Sequence, residues 1–266
     1  MSKYEQIIAW VFEQGYRPGQ VQVPFSRDDL IKASEALGLE RIKNLGDIPY
    51  SFRFRRELPD SIRRTAPEDA EWIIVGSGIG EYRFRLAAPG KIRPNPHLLP
   101  IKVPDATPEI VRHYAPGRDE QALLTRARYN RLVDIFTGIT CYSVQNHLRT
   151  TVGGIGQVEV DEIYVGINKR GTHFVLPCQA KSPGDRFGIA QVMQDMALCQ
   201  ERYPHALCKP IALQFLDDDR VAMLELAVDD DKDLLRLRIV EEKHYELIPR
   251  AQISDNELHV LIEKEP

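Results

Sequence analysis

Hydrophobic and polar residues alternate with two different periods along this chain. In the first 88 residues, helical spacing predicts one helix over about 3–14. A second helix begins after Ser26, a residue suited to cap a helix N-terminus, and ends at Gly38. Two short apolar runs, 72–75 and 82–86, flank a glycine-rich turn and predict paired strands. The N-terminal part therefore combines helices with a small β-structure.

Proline and glycine interrupt every periodic pattern between residues 87 and 96, which predicts a boundary. We expect a domain over 1–88, a linker over 89–117 and a second domain over 118–266. In the second domain the pattern predicts a long helix over 119–137 and another over 186–203. It also predicts strands, at 140–149, 158–165, 174–181, 206–216, 221–228, 234–240 and 257–262. The acidic runs at 217–219 and 229–231 are expected to be solvated loops.

Polar residues interrupt two of these apolar strands. Asp161 lies in the first and Gln179 and Lys181 in the second, and the turn residues at 166–172 predict that the two strands form a hairpin. Alternation places Gln179 and Lys181 on one face. An unpaired carboxylate or ammonium in a buried strand costs several kcal/mol. We therefore expect a functional site where Asp161 meets Gln179 and Lys181.

This arrangement resembles the PD-(D/E)XK nuclease superfamily, specifically its restriction-endonuclease-like members, over roughly residues 118–220. Gln179 stands where that family usually has Glu. The resemblance implies an α/β fold with a mixed β-sheet core flanked by helices, and hydrolysis of phosphodiester bonds. It implies Mg²⁺ as cofactor, with Mn²⁺ as a substitute, and Asp161, Gln179 and Lys181 as catalytic residues. Asp161 and Gln179 would bind the metal, and Lys181 would activate the attacking water or neutralise the transition state.

A second carboxylate is expected to compensate for Gln179. The candidates are Glu162, Glu159 and Glu120, in that order of preference. Glu159 shares a strand face with Asp161, whereas Glu162 reaches it only if a β-bulge intervenes. Glu162 is preferred because bulges occur at such sites, and it joins the predicted catalytic residues. Glu162 and Glu159 both join the predicted metal-binding residues.

The N-terminal helices and paired strands resemble a winged helix, which implies a small α+β domain that binds DNA. The net charge of the chain is −4, but residues 41–64 contain seven basic and three acidic residues. The residues predicted to contact nucleic acid share a positive charge and a position near these elements: Arg41, Lys43, Arg53, Arg55, Arg83 and Arg85.

The composition excludes several other classes. No apolar stretch is long enough to cross a bilayer, and residues 1–5 lack the pattern of a signal peptide, so we expect a cytoplasmic protein without a membrane partner. The four cysteines lack zinc-site spacing and are expected to be reduced.

Together these features predict a Mg²⁺-dependent endonuclease of the type II restriction kind that acts on double-stranded DNA as a homodimer. One alternative is a winged-helix transcriptional regulator in which Asp161 and Lys181 form a structural ion pair. Another is a nuclease that acts on RNA or on branched or single-stranded DNA.

Overall fold

The computed structural model describes residues 1–40, 42–90, 92–114, 119–216, 220–231 and 233–256. It is a mixed α/β structure in which helices flank one large sheet. The helices are α1 (Lys3–Gly15), α2 (Arg27–Ala36), α3 (Asp47–Phe54), α4 (Asp60–Arg63), α5 (Glu109–Tyr114), α6 (Glu120–Tyr129), α7 (Leu132–Thr137) and α8 (Ile189–Arg202). The strands are β1 (Gln22–Ser26), β2 (Glu71–Gly78), β3 (Glu81–Ala87), β4 (Pro100–Pro104), β5 (Thr140–Val152), β6 (Gly156–Ile167), β7 (His173–Lys181), β8 (Leu207–Cys208), β9 (Ile211–Phe215), β10 (Val221–Asp231) and β11 (Leu234–Ile248).

The sheet runs in the order β1-β3-β11-β10-β9-β7-β6-β5. Strand β2 pairs with β3, β4 with β11, and β8 with β7. The hairpin β6–β7 is antiparallel as predicted, whereas β7 and β9 run parallel on either side of the α8 crossover. Strands β5 to β7, α8 and β9 therefore follow the helix, three strands, helix, strand order that the sequence pattern predicts.

Residues 1–87 form an N-terminal unit with its own aromatic core. Its predicted helices α1 and α2 are confirmed, and each begins with a capping box, at Ser2 and at Ser26. Phe12 packs against Trp72 and Phe84 with ring centroids 5.2 and 5.0 Å apart, which ties α1 to the strands β2 and β3. Strand β1, which the sequence pattern did not indicate, pairs with β3 and completes a three-stranded antiparallel layer.

Two helical layers cover the central strands. Helices α6 and α7 pack on one face, where Leu123, Leu132 and Phe136 join Leu176 and Leu213 in the core. Helix α8 covers the β5–β7 end of the opposite face through Leu198 and Cys199. The strands in between carry the residues predicted to form a site.

Several predicted boundaries were wrong. Residues 119–137 form two helices because the chain turns at Asn130 and Arg131, and Arg131 adopts a left-handed conformation with φ of 51°. Residues 229–231 are not a loop: they end β10, where Asp229 bonds to Arg238. The predicted linker contains β4 and α5, and β4 pairs with β11. The predicted strand at 206–216 is split into β8 and β9, and 217–219 and 257–262 lie outside the described residues.

The N-terminal unit meets the β5–β6 hairpin at Gly76. A Cβ atom at Gly76 would overlap the backbone carbonyl of Ile155, which lies in the hairpin turn. Only a residue without a side chain allows this approach of two backbones. The contact places the tip of the hairpin that carries Asp161 against β2.

Candidate functional site

Strands β6 and β7 diverge at one end of their hairpin. Their backbone pairing ends at Glu162 and Cys178, so the residues beyond this pair face a gap in the sheet. Buried backbone N–H and C=O groups that have no partner on a neighbouring strand need other hydrogen-bond partners. Here side chains supply them: Asp161 accepts from the Ala180 amide at 2.9 Å, and Gln179 Nε2 donates to the Glu159 carbonyl at 3.1 Å. The gap therefore concentrates polar groups inside the sheet.

Asp161 is the central carboxylate of this gap. Its burial raises its pKa, and this effect outweighs the opposing influence of the Ala180 amide and the Lys181 charge. Lys181 lies close enough to act on the Asp161 charge, but within the described ranges it forms no ion pair with any carboxylate. The structural ion pair between Asp161 and Lys181 that the regulator hypothesis requires is therefore not made.

Glu120 lies across an open cleft from Asp161. The cleft has a volume of about 360 Å³ and is lined by Glu120, Gln121 and Leu124 of α6, His147 of β5, Asp161 of β6 and Ser182 after β7. Burial raises the pKa of Glu120, and the negative charge of Asp161 raises it further, against the lowering effect of Lys181. Two carboxylates with raised pKa values thus line the cleft, and the positive charge of Lys181 acts on both.

His147 lies beside this cleft in an unusual backbone conformation. Its φ is 48°, a value that residues with a side chain rarely adopt, and it falls where the β5–β6 pairing skips the His147–Asp161 position. Its Nε2 atom is 2.8 Å from Gln121 Oε1. Such strain persists where the surrounding structure imposes it, and it clusters at functional sites. The sequence pattern identified His147 only as an ordinary strand residue.

Gln179 lies on the α8 side of the gap, within a network of side chains. Its Nε2 atom donates to the Asp195 carboxylate at 2.9 and 3.2 Å, and its Oε1 atom accepts from Gln191 Nε2 at 2.7 Å. Asp195 is 1% exposed, and burial raises its pKa well above the ordinary range. Gln194, on the same helix, donates to the Gln157 carbonyl of β6 at 2.9 Å. Helix α8 therefore supplies hydrogen bonds that the interrupted sheet lacks.

Glu162 is not part of the cleft. Its carboxylate is fully buried and accepts two hydrogen bonds from the Arg128 guanidinium, at 2.9 and 3.0 Å, so both oxygens are engaged away from Asp161. The side chain of Glu159 points to solvent and pairs with Arg149. The bulge expected in β6 occurs instead in β5, between Ser143 and Gln145. Glu120, the last of the three candidate carboxylates, is the one that lies in the cleft with Asp161.

The basic residues predicted to contact nucleic acid differ in their surroundings. Arg53 lies in α3 and Arg55 caps the C-terminus of this helix, and their guanidinium groups lie over the rings of Phe54 and Tyr50 at 5.0 and 5.1 Å. Burial lowers the pKa of Arg53 to about 10.

The remaining basic residues of this set are engaged within the protein, exposed or not described. Arg85 is 8% exposed and bonds to Asp230, so it is engaged within the protein, and Arg83 bonds to Gln22. Lys43 is exposed, and Arg41 lies outside the described residues.

The donor atoms of the cleft suit magnesium. Among the described residues, no three His, Cys, Asp or Glu side chains come together as ligands for one metal ion. Mg²⁺ does not require three, because it binds through one or two carboxylates and keeps several waters. Asp161 and Glu120 supply two carboxylates whose pKa values are raised by burial, an effect that the charge of Lys181 does not offset. These residues fit a magnesium ion that is completed by water and substrate oxygens.

Comparison with known proteins adds no family assignment. No protein-family model matches the chain, and no curated protein matches it. Among the described residues, no helix combines the length and apolar character needed to cross a membrane.

Proposed function

We propose that this protein is a Mg²⁺-dependent DNA endonuclease of the type II restriction kind. The observation that carries the proposal is the gap between β6 and β7, where Asp161 and Glu120 line one cleft and the charge of Lys181 reaches both carboxylates. A restriction-endonuclease-like fold for residues 118–266 belongs to this proposal. It is supported by the helix, three strands, helix, strand order and by the antiparallel β5–β6–β7 layer followed by the parallel β9.

The residues of the cleft divide the chemistry among them. Asp161 and Glu120, which line the same cleft, would hold the metal through carboxylate oxygens. Magnesium bound there would lower the pKa of a bound water and offset the charge that develops on the phosphate oxygens. Lys181 would orient the attacking water or stabilise that developing charge from the protein side. His147 and Gln121 line the cleft, where they would contact the phosphate backbone.

The N-terminal unit is proposed as the DNA-binding part, with a winged-helix-like fold. Its support is the order of three helices and a short fourth among three antiparallel strands, and the exposed face of α3. On that face Tyr50 and Phe54 are 39% and 38% exposed beside Arg55, a combination of rings and positive charge that suits nucleic acid. Arg85 is not included because Asp230 already engages it.

This DNA contact has its own test. Replacing Arg55 with Ala should weaken duplex binding. It should also reduce the slope of log affinity against log salt concentration by about 1. Arg17→Ala is the matched control, because Arg17 bonds to backbone carbonyls near its own position. Equal salt dependence in the wild type and the Arg55→Ala variant would remove α3 from the interface.

Cleavage of both strands of a duplex calls for two active sites, so the proposal includes a homodimer. Sedimentation of the purified protein with and without duplex DNA tests this part alone.

The deciding experiment for the function is cleavage of methylation-free plasmid and phage DNA in Mg²⁺. We expect discrete fragments from the wild type, and no fragments with EDTA, with Asp161→Asn or with Lys181→Ala. Lys169→Ala, which changes an exposed lysine in the turn of the same hairpin, should cleave normally. Duplex DNA that is bound but left intact in Mg²⁺ and Mn²⁺ would contradict the proposal and favour the transcriptional regulator. Cleavage of only RNA, or of only branched or single-stranded DNA, would favour the alternative of a nuclease that acts on those substrates.

A further inference from the structure

A second cavity lies beside the cleft, where the C-terminal end of α6 and helix α7 meet β5. Its volume is about 220 Å³, and buried side chains line its interior: Val133, Cys141 and Tyr164. At its mouth are Tyr142, which is 66% exposed, and the partly exposed Ser143. A mainly apolar interior with a few polar groups is typical of small-ligand sites. We call this cavity the α7 pocket.

The α7 pocket and the cleft lie side by side along α6 and β5. On α6, Leu124 of the cleft and Arg128 of the pocket are four residues apart, about 6 Å along the helix axis. On β5, His147 of the cleft and Ser143 of the pocket are also four residues apart, about 13 Å along an extended strand. Each DNA strand advances about 3.4 Å per nucleotide. The pocket is therefore about two to four nucleotides from a phosphate held in the cleft.

Backbone strain occurs at both cavities. Within the described ranges, the residues other than glycine that adopt a positive φ are Arg131, at 51°, and His147, at 48°. His147 lines the cleft, and Arg131 lines the α7 pocket. Such conformations cost free energy and cluster at active sites and ligand sites. This shared feature indicates that the α7 pocket, like the cleft, is shaped to hold a ligand.

The charges at the α7 pocket favour a neutral ligand. Arg128 pairs with the buried carboxylate of Glu162, and Arg131 pairs with Asp134. Two guanidinium groups are thus matched by two carboxylates, so an anion would gain little net attraction. In the described contacts Arg131 bonds through one nitrogen, and a guanidinium has five N–H donors, so donors remain beside the Asp134 carboxylate. These groups suit a flat, neutral ring that carries donors and acceptors along one edge.

We propose that the α7 pocket binds one nucleobase of the DNA strand, unstacked from its neighbours, about two to four nucleotides from the phosphate in the cleft. This inference rests on the proposed function, because the cleft brings the strand to the pocket. The base stacks on the ring of Tyr142 at the mouth, and its edge meets the Arg131–Asp134 pair. Since each base presents a different order of donors and acceptors, the pocket contributes to the choice of DNA sequence.

Removal of single bases from the DNA tests this occupant. A duplex that the wild type cleaves is prepared with one abasic site in turn at every position near the cut, and affinities are measured without metal so that the strands stay intact. Tyr142→Ala should weaken binding of the intact duplex about 5- to 150-fold, the range for loss of one base–aromatic stack. The same variant should bind one abasic duplex as tightly as the wild type does, because base and ring belong to one contact.

Three further variants separate the pocket from the general surface. Tyr142→Phe keeps the ring and should bind the intact duplex like the wild type. Tyr129→Ala is the matched control, because Tyr129 is a tyrosine of α6 that is 45% exposed and lies outside the residues that line the pocket. Its affinity should be unchanged. Ser143→Phe, which fills the pocket from its mouth, should reproduce the loss seen in Tyr142→Ala, and it decides the outcome if that variant does not fold.

The remaining outcomes are also decisive. An equal loss of affinity in Tyr142→Ala for every abasic duplex would show that the ring contacts the DNA backbone, and it would overturn the inference. Saturable binding of a free nucleoside that Tyr142→Ala abolishes, without such a position in the duplex, would overturn it in favour of a free ligand. Failure of the wild type to cleave any duplex in an Asp161-dependent way would overturn the proposed function together with this inference. Loss of the inference alone leaves that cleavage intact, so the two failures are distinguishable.

Discussion

The N-terminal unit and the gap between β6 and β7 hold their carboxylates in opposite ways. Asp29, in the first turn of α2, accepts hydrogen bonds from the Ser26 amide and hydroxyl, both at 2.9 Å, and pairs with Lys32. Burial opposes these contacts, but the bonds from Ser26 and Lys32 lower the pKa of Asp29 overall. Asp161 is held by one backbone amide, and its burial raises its pKa. The Asp29 carboxylate stabilises the fold, whereas the Asp161 carboxylate has no ion-pair partner among the described residues.

This difference supports the proposed site. A protein selected only for stability would pair or remove a buried carboxylate, and even the half-exposed Asp29 of the N-terminal unit is paired. The positive charge of Lys181 instead acts on all three of Asp161, Glu120 and Asp195, and it does not offset the rise in their pKa values that burial causes. A bound cation would remove that imbalance, which is why the comparison favours a metal site in the gap.

The largest expected effect is on catalysis by Lys181. On the proposed function, Lys181→Ala should lower kcat by about 10²- to 10³-fold, the usual loss when one group that stabilises transition-state charge is removed. Lys169→Ala, in the turn of the same hairpin, should leave kcat unchanged. Single-turnover cleavage at saturating protein measures both. A wild-type rate in Lys181→Ala would show that the charge near Asp161 has no part in the chemistry.

The next effect concerns two ion pairs made by glutamates of β6. Arg128→Ala leaves the fully buried Glu162 carboxylate without its partner and should lower the free energy of unfolding by about 3 kcal/mol. Arg149→Ala breaks the exposed ion pair with Glu159 and should change the free energy of unfolding by less than about 1 kcal/mol. Urea denaturation of both variants gives the values. Equal losses would contradict the contrast between the interior and the surface of this strand.

A smaller effect is expected where the two regions touch. Gly76→Ala places a Cβ atom against the Ile155 carbonyl and should lower the free energy of unfolding by about 2 kcal/mol, since overpacking costs about 1–3 kcal/mol. Gly188→Ala is the control because a Cβ atom there meets no neighbour within 4 Å. Thermal unfolding of both variants checks the contact. A Gly76→Ala variant as stable as the control would show that the two backbones separate easily.

The smallest effect is a difference in the sign of pH dependence. The pKa of Asp161 is raised from its ordinary value of 3.8, so its folded form binds a proton more tightly than its unfolded form. Its contribution to the stability of the metal-free protein is therefore lost as the pH rises through that raised pKa. Asp161→Asn should raise the metal-free stability at pH 7.5 by about 1 kcal/mol, within the range of single substitutions.

Asp29 should behave in the opposite way. Its lowered pKa means that its contribution is present above the ordinary value of 3.8 and is lost as the pH falls through the folded value. Asp29→Asn should therefore lower the stability at pH 7.5 and have little effect near pH 2. Thermal unfolding of both variants from pH 2 to 8 compares the two signs. If both variants changed the stability at pH 7.5 in the same direction, the contrast between the two regions would be contradicted.

Local signals in the sequence were sufficient for much of the fold. Ser26 marked the start of α2, and the turn residues at 166–172 marked the β6–β7 hairpin. Residues 50–55 alternate as a half-exposed strand would, but Ile48 and Phe52 lie four residues apart, and burial of this pair makes the segment a helix. Asp161, Gln179 and Lys181 could be singled out because each interrupts an apolar run.

The rest of the site depends on contacts that are distant in sequence. Strand alternation could not choose between Glu162 and Glu120, because the choice depends on where β6 leaves β7 and on which carboxylate Arg128 engages. Asp195 lies 16 residues from Gln179, on a helix whose polar positions also suit solvent exposure. His147 gave no signal because a left-handed φ at a residue other than Gly, Asn or Asp is imposed by the surrounding structure.

The close approach of Gly76 and Ile155 also limits how this protein can be recombined. The hairpin turn at 153–156 has no spare length, because an added residue would drive its backbone into β2. A chimera that joins the central strands to a different N-terminal unit would need both the same turn and a glycine opposite it. The two halves are therefore expected to be inherited or exchanged together, as a matched pair rather than as independent modules.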